Sequence, residues 1–233
     1  MSPFSKQFKR KLKNSINYIR CVGKPKVFGI GCNKTGTTSL KAAMRELGYT
    51  IGDQRTAEML DEDWAVRDFS KLLKYCKTAQ FFQDFPFSYL YTFIALDQAF
   101  KGSKFVLTVR DSPEQWYNSV ISFHSKIYGK NGRVPTKEDL ENATYIYKGR
   151  PWKLRKLKGF ADETNPYNKD LWIGYYNRHN TMVKDYFMHR PDDLLVLNVA
   201  GEGAFQKLCT FLGKEHPGTE FPWKNKTEAI GVK

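Results

Sequence analysis

At 233 residues the chain has the length of one sizeable α/β domain with a single core, and it contains no apolar run long enough to span a bilayer. Its formal net charge of +14 points to a polyanionic or multiply phosphorylated partner. Zinc-finger spacing, an aromatic RNP pattern and basic heptads are all missing, which argues against specific nucleic-acid recognition. The four cysteines, Cys21, Cys32, Cys76 and Cys209, form no C-x-x-C, and no secretory h-region occurs, so a reducing, cytoplasmic setting is expected.

The first 25 residues read as a separate basic segment. Residues 1–26 hold eight Lys or Arg and no acid, with Phe4, Phe8, Leu12, Ile16 and Ile19 at helical steps. Such a helix can dock on the domain or make peripheral contact with an anionic membrane; docking is the expectation. From Lys26 to Leu40 (KVFGIGCNKTGTTSL) a short apolar run passes through a Gly/Thr-rich turn into a helical pattern. Val27, Phe28 and Ile30 suit a strand buried on both faces, and Leu40, Ala43, Met44 and Leu47 continue at helical spacing. Strand, glycine loop and helix in this order aim backbone N–H groups and the positive helix end at one spot, which suits phosphate or sulfate. Gly31, Gly36 and Thr37-Thr38 match the glycine skeleton of the nucleotide P-loop, with Thr37 where that motif has lysine. The lysine is instead Lys34, inside the loop, which disfavours an ordinary ATP or GTP hydrolase. Cys32, in the same loop, is expected to pack rather than react.

Further along, Tyr49–Ile51 reads as a brief second strand and Thr56–Lys77 as one or two amphipathic helices. Ala79–Phe82 is a third strand ending at Gln83-Asp84-Phe85-Pro86, followed by a helix over Ser88–Phe100 and a clear strand over Lys104–Val109. Ser112-Pro113-Glu114 then opens a helix, with a Ser N-cap, Pro at N1 and an acid in the first turn; Trp116, Val120, Ile121 and Phe123 are its core candidates. Residues 128–169 are polar and broken by Gly and Pro, as in a lid or acceptor-binding insertion. Within them, 148–158 carries six basic residues and no acid, either a solvated cationic face or a contact to acidic substrate or donor phosphates. Asn168–His189 returns to helix, Leu194–Val199 is the last strand, and Gly203–Leu212 is a helix stopped by Gly213. The repeated strand–helix order predicts a single α/β domain, a central parallel sheet flanked by helices, with its ligand at the carboxyl ends of the strands.

Three features together resemble the sulfotransferase superfamily: the loop Lys34-Thr35-Gly36-Thr37-Thr38, the strand-end Arg110 with Ser119, and the closing Phe221-Pro222-Trp223-Lys224-Asn225. GIGCNKTGTTSL, DFPFSYL, KFVLTVRD, YNRHN, LLVLNV and FPWKNKT look like the broad group of short soluble sulfotransferase family proteins. The match spans residues 26–227, leaving 228–233 as a tail. The resemblance implies a 3′-phosphoadenosine 5′-phosphosulfate donor and an acceptor that is a small molecule or acidic saccharide, with no metal required. It assigns Lys34 to the leaving group, Thr35, Gly36, Thr37 and Thr38 to the 5′-phosphate, Arg110 and Ser119 to the 3′-phosphate, and Lys224 and Asn225 to the donor as well. The Arg110–Ser119 interval is one residue longer than is usual there, so either Asn118 takes the role or the Ser112-Pro113 turn absorbs the extra residue; the turn is the expectation.

Proton removal from the acceptor needs a base, and Asp84 in Asp84-Phe85-Pro86 looks like the matching place, with a turn-capping role as its rival. His124 and Asp53 are weaker candidates, and His179 beside Tyr175 and Tyr176 reads as a packed histidine. Two other functional classes stand against this one: a P-loop small-molecule kinase, and a non-catalytic polyanion-binding protein.

Overall fold

The computed structural model describes residues 15–222, so most of the predicted N-terminal stripe and both Lys224 and Asn225 lie outside the described residues. The chain runs through helix α1 (15–21), strand β1 (Val27–Gly29), α2 (Thr37–Glu46), the short helices α3 (Gln54–Ala57), α4 (Asp61–Ala65) and α5 (Ser70–Tyr75), β2 (Phe81–Gln83), α6 (Thr92–Ala99) and β3 (Lys104–Thr108). It continues through α7 (Pro113–Tyr128), α8 (Lys137–Asn142), the small hairpin β4 (Thr144–Tyr145) and β5 (Tyr147–Lys148), α9 (Arg150–Lys158), α10 (Lys169–Phe187), β6 (Leu194–Leu197) and α11 (Ala204–Leu212).

The main sheet is parallel throughout, in the order β2-β1-β3-β6. Its strands are apolar on both faces because both are covered. Val27, Phe81 and Val106 share a cluster with Leu40 and Met44 of α2 and Leu208 of α11, while the alternate residues Phe28, Phe82 and Phe105 join Phe93 of α6 and Phe187 of α10. The chain leaves β1 for β2 on one side and returns to β3 on the other, so the crevice beyond β1 and β3 is the topological switch point where such sheets bind ligands.

Several local expectations are corrected. Tyr49–Ile51 makes only an isolated parallel bridge, Ile51 to Phe81, in which the Phe81 N–H donates to Thr50 O and the Gly52 N–H to Phe81 O; Gly52 lies against Phe82, where an added Cβ would be 2.5 Å from the ring. Thr56–Lys77 is broken into short pieces: Arg67 turns to φ +62° and Asp68 accepts from the Ser70 N–H, restarting the helix. In α1, Ile16 and Ile19 are exposed rather than docked, and Cys21 is the residue buried against the domain. The insertion at 128–169 is a packed wall: Leu140, Trp152, Leu154, Phe160 and Tyr167 join a cluster with Trp116 and Trp172.

Candidate active site

The loop between β1 and α2 is shaped by the two glycines of its skeleton. An added Cβ at Gly31 would sit 2.4 Å from the Thr108 carbonyl oxygen, and one at Gly36 (φ +96°) would sit 2.2 Å from Val199 Cγ2. The backbone therefore lies directly on the ends of β3 and β6.

Its carbonyls are held from below, three of them by donors remote in the sequence and one by the loop's own Thr35. His179 Nε2 donates to Ile30 O (2.7 Å), Thr35 Oγ1 to Cys32 O (2.5 Å), Trp116 Nε1 to Asn33 O (2.8 Å) and Arg110 Nε to Lys34 O (2.8 Å). In a trans peptide the N–H points opposite to the C=O, so inward Cys32 and Asn33 carbonyls turn the Asn33 and Lys34 N–H groups outward. At the start of α2, Gly36 is the N-cap and no side chain caps the first turn, in contrast to α7, where Ser112 Oγ accepts from the Gln115 N–H (3.1 Å). The N-cap residue itself therefore offers no side-chain acceptor to the first turn of α2. Thr35, expected among the donor contacts, is fully buried with its hydroxyl also 2.6 Å from Thr108 Oγ1; it braces the loop instead. Thr37 is buried at the helix start and Thr38 half-exposed. Cys32 is buried and its thiol pushed up to about 12 by desolvation, so it packs as expected.

Lys34 stands at φ +69° with Nζ 3.9 Å from the centroid of the Phe123 ring. Burial and then the neighbouring Arg110 charge lower its ammonium to about 8, opposed by Asp84 and reinforced by Lys126. Lys34, Arg110 and Asp84 therefore share one electrostatic field at the ends of the three strands β1, β2 and β3. Arg110 makes no ion pair with Asp111 or Glu114 among the described residues; Asp111 is occupied by Asn198 Nδ2 (2.5 Å) and Gln115 Nε2 (2.9 Å). Ser119 is half-buried on α7 and Asn118 exposed.

Asp84 follows β2 at φ +65°, accepts from the Phe85 N–H (3.0 Å) and from Gln54 Nε2 (3.1 Å), and its carboxyl is raised by burial. Asp53 is the N-cap of α3, accepting from the Arg55 N–H, which occupies it as a cap. His179 is fully buried on its loop carbonyl, the packed histidine expected. His124 is buried, held well below its ordinary value by desolvation and then by Arg155, with Nδ1 3.0 Å from Tyr167 OH.

A cavity of about 50 Å³ opens beside the loop, lined by Cys32, Phe85, His124 and Tyr175 and by α9. The basic stretch 148–158 is accordingly not a solvated face: Arg150 and Arg155 are buried, Arg150 paired with Asp61 through Nε (2.6 Å), and Lys158 lines the cavity. The cations on the cavity wall were signalled only by the local excess of basic residues, and nothing in the spacing marked Trp116 and His179 as donors to the loop.

A search of curated proteins found no match. A family model described as a sulfotransferase domain matches residues 26–230, from the first strand through the whole of the site just described. With the all-parallel sheet and the loop at its switch point, this match shows that the chain belongs to the sulfotransferase domain family.

Proposed function

We propose that the protein transfers a sulfuryl group from 3′-phosphoadenosine 5′-phosphosulfate to a hydroxyl or amine acceptor. The observation that carries this reading is the loop, whose carbonyls are tied inward while Lys34 and an uncapped helix start remain for an anion. When bound, the donor supplies a sulfuryl group on a phosphate leaving group. Lys34 would stabilise the electron pair left on the departing phosphate oxygen as the S–O bond breaks, and the α2 amides would hold that phosphate. Asp84 would take the acceptor's proton as the new bond to sulfur forms. Arg110, held at the end of β3 by its bond to Lys34 O, would meet the second phosphate, on the ribose.

Titration with adenosine 3′,5′-bisphosphate in EDTA is expected to show binding, with Mg-ATP weaker; the reverse preference would replace this reading by a kinase. Arg110→Ala should cost roughly 2 to 4 kcal/mol of bisphosphate affinity through loss of a charge-assisted contact. Because Arg110 also holds the Lys34 carbonyl, adenosine 5′-phosphosulfate serves as the control. An equal loss for both nucleotides would make Arg110 a brace for the loop and nothing more.

Asp84→Asn is expected to keep bisphosphate affinity and to slow transfer by about 100-fold. The pH profile carries the same assignment. Asp84 must be ionised, so kcat/KM should rise through a carboxyl value above the ordinary range; Lys34 must be protonated, so it should fall again through about 8. Asp84→Asn should remove the acid limb and keep the alkaline one. An unchanged profile in Asp84→Asn would transfer the base role to His124.

A further inference from the structure

Three donor groups on the cavity wall have no acceptor among the described residues. Arg150, fully buried, spends Nε and Nη2 on Asp61 and leaves Nη1 without a partner. Ser88 Oγ, in a residue 2% exposed, has none either. Lys158 Nζ lies 4.3 Å from the ring centroids of both Phe85 and Tyr89 and makes no ion pair. A hydroxyl can give or accept, but guanidinium and ammonium only give, so the cavity offers donors and asks for an acceptor atom.

We infer that this cavity binds the acid group of a small hydroxy acid, the acceptor class of the reaction, with Lys158, Arg150 Nη1 and Ser88 Oγ as its partners. The inference rests on the sulfotransferase reading for the word acceptor, and on the cavity alone for the acid. A neutral ligand would leave a buried guanidinium arm and a half-buried ammonium unsatisfied, the costly outcome for charged donors. The cavity lining itself holds Arg150, Arg155 and Lys158 and no carboxylate; Asp61, Asp84 and Glu58 stand behind it, Asp61 bonded to Arg150, so an anion in the cavity would meet the donors first. Burial lowers Lys158 to about 8, opposed by the nearby Asp61 and Asp84 carboxylates. The void of about 50 Å³ has room for an acid group among these donors. Phe85, adjacent in sequence to Asp84, lines the cavity and links the acid site to the base.

The test uses the full chain and a matched pair of probes, 4-hydroxyphenylacetate and 4-hydroxyphenylacetamide, which share size and differ in charge. Calorimetric titration is run with and without saturating adenosine 3′,5′-bisphosphate. The acid is expected to bind at least 10-fold more tightly than the amide. Lys158→Met should weaken the acid by roughly 10- to 100-fold and the amide by less than 2-fold; Ser88→Ala should weaken the acid by about 3-fold and provides a second reading should Lys158→Met fold poorly. Equal affinity for both probes, no binding of the acid up to millimolar concentration, or equal losses for acid and amide in the variants would overturn the inference. If the bisphosphate itself fails to bind, the donor assignment falls, and the titration without it still decides the acid site.

Discussion

Lys34→Ala is expected to fold normally and to transfer sulfate on the order of 100-fold or more slowly, the scale for removing one preorganised transition-state charge. The fold should survive because the loop is held through the Lys34 carbonyl, by Arg110 Nε, and not through the side chain. Alanine meets the same φ of +69° that lysine already accepts, so no new backbone strain enters. The loss should fall on the rate more than on donor affinity, since charge grows on the leaving oxygen only as the bond breaks. At neutral pH an ammonium lowered to about 8 is still about 90% protonated, so the wild-type reference state is the cation. Release of adenosine 3′,5′-bisphosphate in single turnover measures the effect directly. A folded Lys34→Ala protein that transfers at the parental rate would remove Lys34 from the chemistry.

The largest stability effect should come from Asp61→Ala. Asp61 accepts from Arg150 Nε at 2.6 Å and Nη2 at 3.2 Å and from Tyr89 OH at 2.8 Å, and both members of the ion pair are buried. Removing the carboxylate strands a guanidinium in the interior, which costs about 3 to 5 kcal/mol. In a domain of this size that corresponds to a fall in Tm of about 10 °C. The double variant Asp61→Leu/Arg150→Met should recover most of the loss, because the penalty lies in the unpaired charge and not in the absence of the pair. Urea unfolding of the single and double variants reads both numbers. A loss below about 1 kcal/mol in Asp61→Ala would mean that water reaches the guanidinium.

What could be read from the sequence was local. Ser112-Pro113-Glu114 is a complete helix start, and Ser112 does cap α7; the apolar runs at Val27 and Lys104 are strands buried on both faces, and that at Leu194 is the edge strand beside them. Gly31 and Gly36 marked the loop since only a missing Cβ allows the backbone to lie on Thr108 and Val199. What could not be read was whatever depends on residues remote in the chain. His179 reaches Ile30 across 149 residues and Trp116 reaches Asn33 across 83, and no periodicity encodes such meetings. Thr35 sits in the middle of the recognisable motif, yet its hydroxyl is claimed by Thr108, 73 residues away. Tyr49–Ile51 has the composition of a strand, but a strand also needs an aligned neighbour, and here β2 offers only the Ile51–Phe81 bridge.

The two halves of the site are anchored in different places. The loop is braced by Arg110, Trp116 and His179 at the sheet end, whereas the cavity takes Lys158 and Arg150 from an insertion that packs on the aromatic cluster shared with Trp116 and Cys32. On the proposed reading, substitutions on the cavity-facing side of 128–169 would alter the acceptor, provided the cluster shared with Trp116 is kept. A lineage built this way can diversify its substrates by drift in one segment, and a laboratory seeking a new acceptor should randomise that segment first, leaving residues 26–40 untouched.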